Sequence, residues 1–272
     1  KDTQNPSRIV IGTSDLKAQK ALQELHENLP GGRVFTDLRT AELIKYASNA
    51  FLATKISFIN EIANLCEEVG ANVEDVSLGM GLDPRIGTAF LKAGLCYGGS
   101  CFPKDTRALN AAALSNNYEF KLLKAVIEVN QLQRERFIKK VEKTLGGKLN
   151  AKTIGVLGLA FKANTDDVRE SAAVDIIQKL IHKGVRIQAY DPKAMENAKK
   201  TLKKLTLCHS AEEAAKNTDC ILILTEWEAF KRLPWKKMKS AMKNPIVIDG
   251  RNILNPEIMR ALKFQYASVG RL

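Results

Sequence analysis

Histidine is scarce in this chain. His26, His182 and His209 are the only three among 272 residues, and none has a second His at metal-ligand spacing, so a histidine-based metal enzyme is not expected. The five cysteines (Cys66, Cys96, Cys101, Cys208 and Cys220) are odd in number and contain no C-x-x-C pair. That excludes a disulfide framework and a structural zinc site, and it fits a reducing cytoplasm. Long apolar runs are missing too: no stretch approaches the roughly 18 uncharged apolar residues of a membrane helix. Lys1-Asp2-Thr3-Gln4-Asn5-Pro6 has neither the apolar core nor the cleavage pattern of a signal peptide. There is no tandem repeat and no low-complexity tract.

What is present has ordinary globular proportions, 45% apolar and 26% charged, which argues against a disordered or fibrous chain. The net charge of +12 is uneven: residues 1–150 carry +3 and residues 151–272 carry +9. A basic second half suits nucleic acid, an anionic membrane or a phosphorylated small ligand. No aromatic-interleaved basic motif supports nucleic acid, so neither nucleic acid nor membrane is expected as a partner.

Hydrophobic spacing divides the chain in three. Residues 8–12 and 33–35 read as short strands around a helix over 15–28, a unit too small to bury its own faces. From 40 to 148 the spacing is helical, with helices over 40–69, 73–80, 105–115 and 121–145, and glycines at the stops. Such a run of long amphipathic helices forms a bundle and is a common dimerisation surface. From 152 onward, strands at 153–159, 185–190, 220–224 and 246–249 alternate with helices, the pattern of a parallel, doubly wound sheet. The fold class is therefore α/β: a central helical dimerisation bundle followed by a Rossmann-like doubly wound parallel sheet. Ligands of such sheets bind at the carboxyl ends of the strands, which here carry Phe161-Lys162, Asp191, Thr225-Glu226 and Asp249-Gly250-Arg251.

Gly98-Gly99-Ser100-Cys101-Phe102-Pro103-Lys104-Asp105 is the segment richest in chemistry. Two glycines permit close backbone approach, and Ser100 is a good helix cap. Cys101 would stand at a helix N-terminus, where the dipole and Lys104 favour a thiolate, with Asp105 one turn on. A thiolate beside a carboxylate suits a nucleophile with a general base, whereas an unreactive buried thiol is the ordinary state of a free cysteine; the residues alone leave both open. Lys45 and Asn49, at i and i+4, can present a cation and an amide to an oxyanion, or form a solvated face. Lys162 and Arg169, in the polar segment 161–171, can clamp a phosphate. Gly155-x-x-Gly158 is only part of a dinucleotide fingerprint.

Taken together, the blocks 41–49, 83–87, 97–105 and 161–171, with Asp249-Gly250-Arg251, resemble the UDP-glucose 6-dehydrogenase family of nucleotide-sugar dehydrogenases. The resemblance implies oxidation of UDP-glucose to UDP-glucuronate by two NAD⁺. Cys101 would form a thiohemiacetal and then a thioester, Lys45 and Asn49 would stabilise oxyanions, and Asp105 would assist hydrolysis. By the same likeness Phe90, Leu91, Lys92, Ala93, Gly94, Gly98, Phe161, Lys162 and Arg251 line the UDP-sugar site. Arg85 would reach the partner's substrate in a homodimer, and Lys104 and Arg169 would contact NAD.

The sequence departs from the family pattern at Cys96, where glycine is usual, and it contains no G-x-G-x-x-G loop. The expected organisation is therefore a remnant of the NAD-binding domain over 1–36, the helical dimerisation domain over 37–148, and the UDP-sugar domain over 149–272. A cytoplasmic fragment, inactive in hydride transfer by itself, is the expectation. Two alternatives stand beside it: a GDP-mannose or other nucleotide-sugar 6-dehydrogenase, and a non-catalytic sugar-nucleotide-binding dimer module.

Overall fold

The computed structural model describes residues 4–271. The chain divides into two compact units, with the division between Phe51 and Leu52.

The first unit holds β1 (Arg8–Gly12), α1 (Leu16–Leu25) and β2 (Gly32–Thr36), and it closes within α2 (Leu38–Val69). β1 and β2 pair in parallel, Arg8 opposite Gly32 through Gly12 opposite Thr36. α1 starts where the Asp15 carboxylate accepts the Lys17 N–H at 2.8 Å. Two strands give a sheet little to pack against, so Val34 and Phe35 stay exposed.

The second unit begins with the rest of α2 and continues through α3 (Val73–Gly81), α4 (Phe102–Ser115) and α5 (Lys121–Thr144). The sheet elements follow: β3 (Thr153–Leu157), α6 (Ala172–His182), β4 (Arg186–Tyr190), α7 (Met195–Thr201), β5 (Thr206–Leu207), α8 (Ala211–Ala215), β6 (Cys220–Ile223), α9 (Glu228–Lys231), α10 (Trp235–Ala241), β7 (Ile246–Asp249), α11 (Pro256–Ala261) and β8 (Gln265–Ser268). All six strands are parallel, in the order β5-β4-β3-β6-β7-β8. The order runs outward in opposite senses from β3 and β6, so this pair marks the topological switch point of a doubly wound sheet.

Strand alternation sorts the core onto two faces. Ile154, Val156, Leu222 and Ile248 point to one cluster, where α6 and the helices α2 and α5 cover them through Ile177, Ile59 and Phe137. Leu157, Ile221, Ile223 and Val247 point to the other, against Phe230, Trp235 and Met259 of α9, α10 and α11. Each such buried aliphatic or aromatic side chain contributes about 1.5–3 kcal/mol.

α2, α3 and α5 stand within two residues of their expected bounds, and α4 begins three residues earlier than expected, at Phe102. β3 is shorter than expected. Gly158 takes φ +100° and turns the chain out, and a Cβ there would sit 2.4 Å from Thr225. β5, β8 and the short helices α9 and α11 had no counterpart in the expected pattern, because two- to six-residue elements carry too few apolar positions to show a period.

Candidate active site

The thiol segment folds largely as its residues predict. Cys101, rather than Ser100, takes the cap position of α4, because the chain is already right-handed helical there (φ −97°, ψ −66°). The Ser100 hydroxyl lies 3.7 Å from the Cys101 sulfur. Asp105 donates its backbone N–H to the Cys101 carbonyl at 2.9 Å, which puts the carboxylate one turn along. Asp105 is fully buried and ion-paired to the Lys104 ammonium, while Cys101 is exposed. The other four cysteines are buried. Burial pushes the thiols of Cys66, Cys208 and Cys220 up, away from the reactive form.

The two glycines before this thiol are required by what packs on them. A Cβ on Gly98 would stand 2.4 Å from the Glu170 carbonyl, and one on Gly99, at φ +80°, would stand 2.5 Å from the Phe161 ring. Segments 97–105 and 161–171 are therefore in direct contact. Arg107 extends that contact with a 2.7 Å ion pair to Glu170. Within the second segment Arg169 holds Asp167 through paired hydrogen bonds, and Lys162 lies 5.3 Å from the Phe161 ring. The Asp167 hydrogen bond raises the pKa of the Arg169 guanidinium.

Beside this contact lies a cavity of about 760 Å³. Leu91, Lys92, Ala93, Gly94 and Arg251, all expected at the sugar-nucleotide site, line it together with Asn60, Ser77, Cys96, Glu226 and Asn252. Arg251 donates through Nε to the Leu224 carbonyl at 2.9 Å and through its terminal nitrogen to Phe161 at 3.2 Å, so it joins the cavity wall to the 161–171 segment. Its backbone N–H is held by Asp249 at 2.9 Å. Phe90, with φ +65°, is outside the lining and meets Phe102 edge-on at 6.0 Å.

Neutral side chains position the segment between cavity and thiol. Asn130 accepts the Tyr97 N–H at 2.9 Å and donates to the Tyr97 carbonyl at 3.2 Å. Gln133 donates to the Gly94 carbonyl and accepts from Asn64, and Asn60 accepts the Gly94 N–H at 2.8 Å. Arg134 donates to the Cys96 sulfur at 3.2 Å. None of these amides was singled out from the sequence. A signal was there: Asn130 and Gln133 interrupt the apolar stripe Leu123, Val126, Phe137 and Val141 of α5, and Asn60 does the same beside Ile59 and Ala63 on α2.

The sheet's switch point does not fit a dinucleotide such as NAD. The N–H groups of Leu159 and Ala160, which in a dinucleotide fold would face a pyrophosphate, are taken by Asp191 at 2.7 and 3.1 Å. The same fully buried carboxylate accepts from Lys193, Ala194 and the Trp227 indole. An internal anion fills the place of a bound one.

Arg85 is not among the residues that line the cavity. Arg85 is exposed and pairs with Asp83, whose carboxyl it holds below the usual range. Lys55 fixes that loop by donating to the Ile86 carbonyl at 2.9 Å. Lys45 and Asn49 stand one turn apart on α2, in the first unit, with the Lys45 ammonium 4.8 Å from the Tyr46 ring. Among the described residues no cluster of three potential metal ligands occurs, and no helix is long and apolar enough to cross a membrane.

Residues 39–132 match the central domain of the UDP-glucose/GDP-mannose dehydrogenase family, and residues 155–256 match the family's UDP binding domain. The UDP-glucose 6-dehydrogenase of Rickettsia conorii is 48% identical over 97% of this chain and 62% of its own length. UDP-glucose 6-dehydrogenase TuaD of Bacillus subtilis is 49% identical over 99% of this chain and 59% of its own. The chain thus spans about 60% of the length of these relatives. Among solved structures, a UDP-glucose dehydrogenase from Pyrobaculum islandicum superposes with a TM-score of 0.91 at 37% identity, over all of this chain and 60% of that one. A UDP-D-ManNAc dehydrogenase from Pyrococcus horikoshii superposes with a TM-score of 0.84 at 27% identity, over 99% and 61%. With two domains matched in order and a thiol segment, a contacting loop and a cavity built from the residues those domains contribute, the chain belongs to the UDP-glucose/GDP-mannose dehydrogenase family.

Proposed function

We propose that this chain supplies the thiol and the nucleotide-sugar pocket of a UDP-glucose 6-dehydrogenase. One observation carries this reading: the 98–105 turn, the 161–171 segment and Arg251, far apart in sequence, meet beside one cavity and one exposed thiol. Leu91, Lys92, Ala93, Gly94 and Arg251 would hold the UDP moiety, with the diphosphate drawn toward Arg251 and Lys162. Phe90 and Gly98 would shape the passage of the sugar toward Cys101. Loss of one hydride to NAD⁺ would turn the C6 alcohol into an aldehyde, to which the Cys101 thiolate would add; Lys45 and Asn49 are read as the cation and amide that steady the resulting oxyanion, and loss of a second hydride to another NAD⁺ would leave a thioester on Cys101. Asp105 takes the proton of the water that finally cleaves the acyl–sulfur bond, releasing UDP-glucuronate.

NAD⁺ is the hydride acceptor in this reading. Lys104 and Arg169 are its proposed contacts, and no residue of the six-stranded sheet is assigned to it. The three folding units over 1–36, 37–148 and 149–272, a cytoplasmic location, and a homodimer in which Arg85 reaches the partner's substrate belong to the same proposal.

The test is alkylation of the 272-residue chain with iodoacetamide, read by peptide mapping. Cys101 should react at least about tenfold faster than the buried thiols, and UDP-glucose should slow it. Equal labelling of all five cysteines, or protection by GDP-mannose and not by UDP-glucose, would overturn the assignment. The same chain mixed with UDP-glucose and NAD⁺ should yield no NADH.

A further inference from the structure

Asn60 is 1% exposed and lines the cavity, yet its amide nitrogen has no hydrogen-bond partner. Its amide oxygen is committed to the Gly94 N–H at 2.8 Å, which fixes the orientation of the group: the oxygen must face Gly94 and the nitrogen must face away from it. A buried N–H left unpaired costs free energy, so such a donor inside a cavity marks a place where an acceptor binds. The other polar groups nearby do not compete for it. The Ser77 hydroxyl already donates to the Leu91 carbonyl at 2.6 Å, and the Glu226 carboxylate faces Arg251 at 3.3 Å.

We propose that Asn60 is a specificity-determining residue that donates its amide N–H to an acceptor oxygen on the nucleotide part of the ligand. This rests on the reading that the cavity holds UDP. The choice of nucleotide over sugar follows from the lining. Cys101, where the sugar carbon must react, is not part of the cavity wall, so the portion of ligand inside the cavity is the portion remote from that carbon. A pyrimidine carbonyl or a ribose oxygen supplies the acceptor that the site lacks. The Asn60 side chain then does two things at once: it fixes the backbone at Gly94, and it accepts only ligands that present an oxygen at that point.

Asn60→Asp separates these roles. The substitution is isosteric and keeps an oxygen for the Gly94 N–H, but it replaces the free donor with an acceptor. Titration calorimetry of the 272-residue chain with UDP and with UDP-glucose reads the outcome. Both ligands should bind the variant at least about tenfold more weakly, since an acceptor would oppose an acceptor. Unchanged UDP affinity in the variant overturns the proposal. A loss confined to UDP-glucose overturns it as well, by moving the contact to the sugar. A wild-type chain that binds neither ligand sinks the underlying reading of the cavity, a result distinct from the other two. Should the variant fail to fold, the wild-type chain with ¹⁵N-labelled asparagine decides the matter: UDP must shift the Asn60 side-chain amide resonance, and an unmoved resonance counts against the contact.

Discussion

Gly99 shows how much of the site depends on single residues. It needs both a left-handed backbone and bare space, because the Phe161 ring occupies the volume a methyl would take. Gly99→Ala should therefore cost about 2–4 kcal/mol in urea unfolding, from backbone strain and overpacking together. The labelling rate of Cys101 should change with it. Asp167 is a subtler case. The Arg169 guanidinium holds its carboxyl below the ordinary 3.8. A lowered native value means that the contact is fully present above the ordinary carboxylate range and is lost as pH falls through the native value. Hydrogen exchange across 161–171 should rise in that acid window in the wild type, and Asp167→Asn should abolish the step. The Cys101–Asp105 spacing was legible from short-range periodicity, whereas Arg85 entered only through the family resemblance. The Asn60 contact was not, since it is made with a residue 34 positions away.

The helices and most strands could be read from the sequence for a physical reason: α2 and α5 repeat apolar residues over six or more turns, and β3, β6 and β7 are short buried runs bounded by turn residues. What the pattern did not carry was the role of Asp191 between elements. Its five donors come from the turn after β3, the start of α7 and the indole of Trp227, which no local period relates. Asp191→Asn puts an amide N–H among those donors and should lower stability by at least about 2 kcal/mol in thermal or urea unfolding. If Asp191 merely filled space, the isosteric amide would be neutral. α2 leaves Phe58 and Leu65 exposed seven residues apart, on one face of the helix.

At the scale of the whole molecule, that face is where the proposed homodimer would pair with a second copy. The chain should sediment at about twice its 30.1 kDa, and Phe58→Glu with Leu65→Glu should return it to the monomer mass. A wild type that sediments as a monomer at micromolar concentration would remove the dimer from the proposal. The amides around Gly94 and Tyr97 carry a last consequence. Counter-ions at ordinary ionic strength screen charges within about 10 Å, and so weaken pairs such as Arg107 with Glu170, but they leave hydrogen bonds between neutral amides and backbone largely untouched. The segment that leads to the thiol is tied down by Asn60, Gln133 and Asn130, none of which bears a charge. Added salt should leave these amide contacts in place, while it weakens the Arg251–Glu226 pair of the cavity wall together with any phosphate contact.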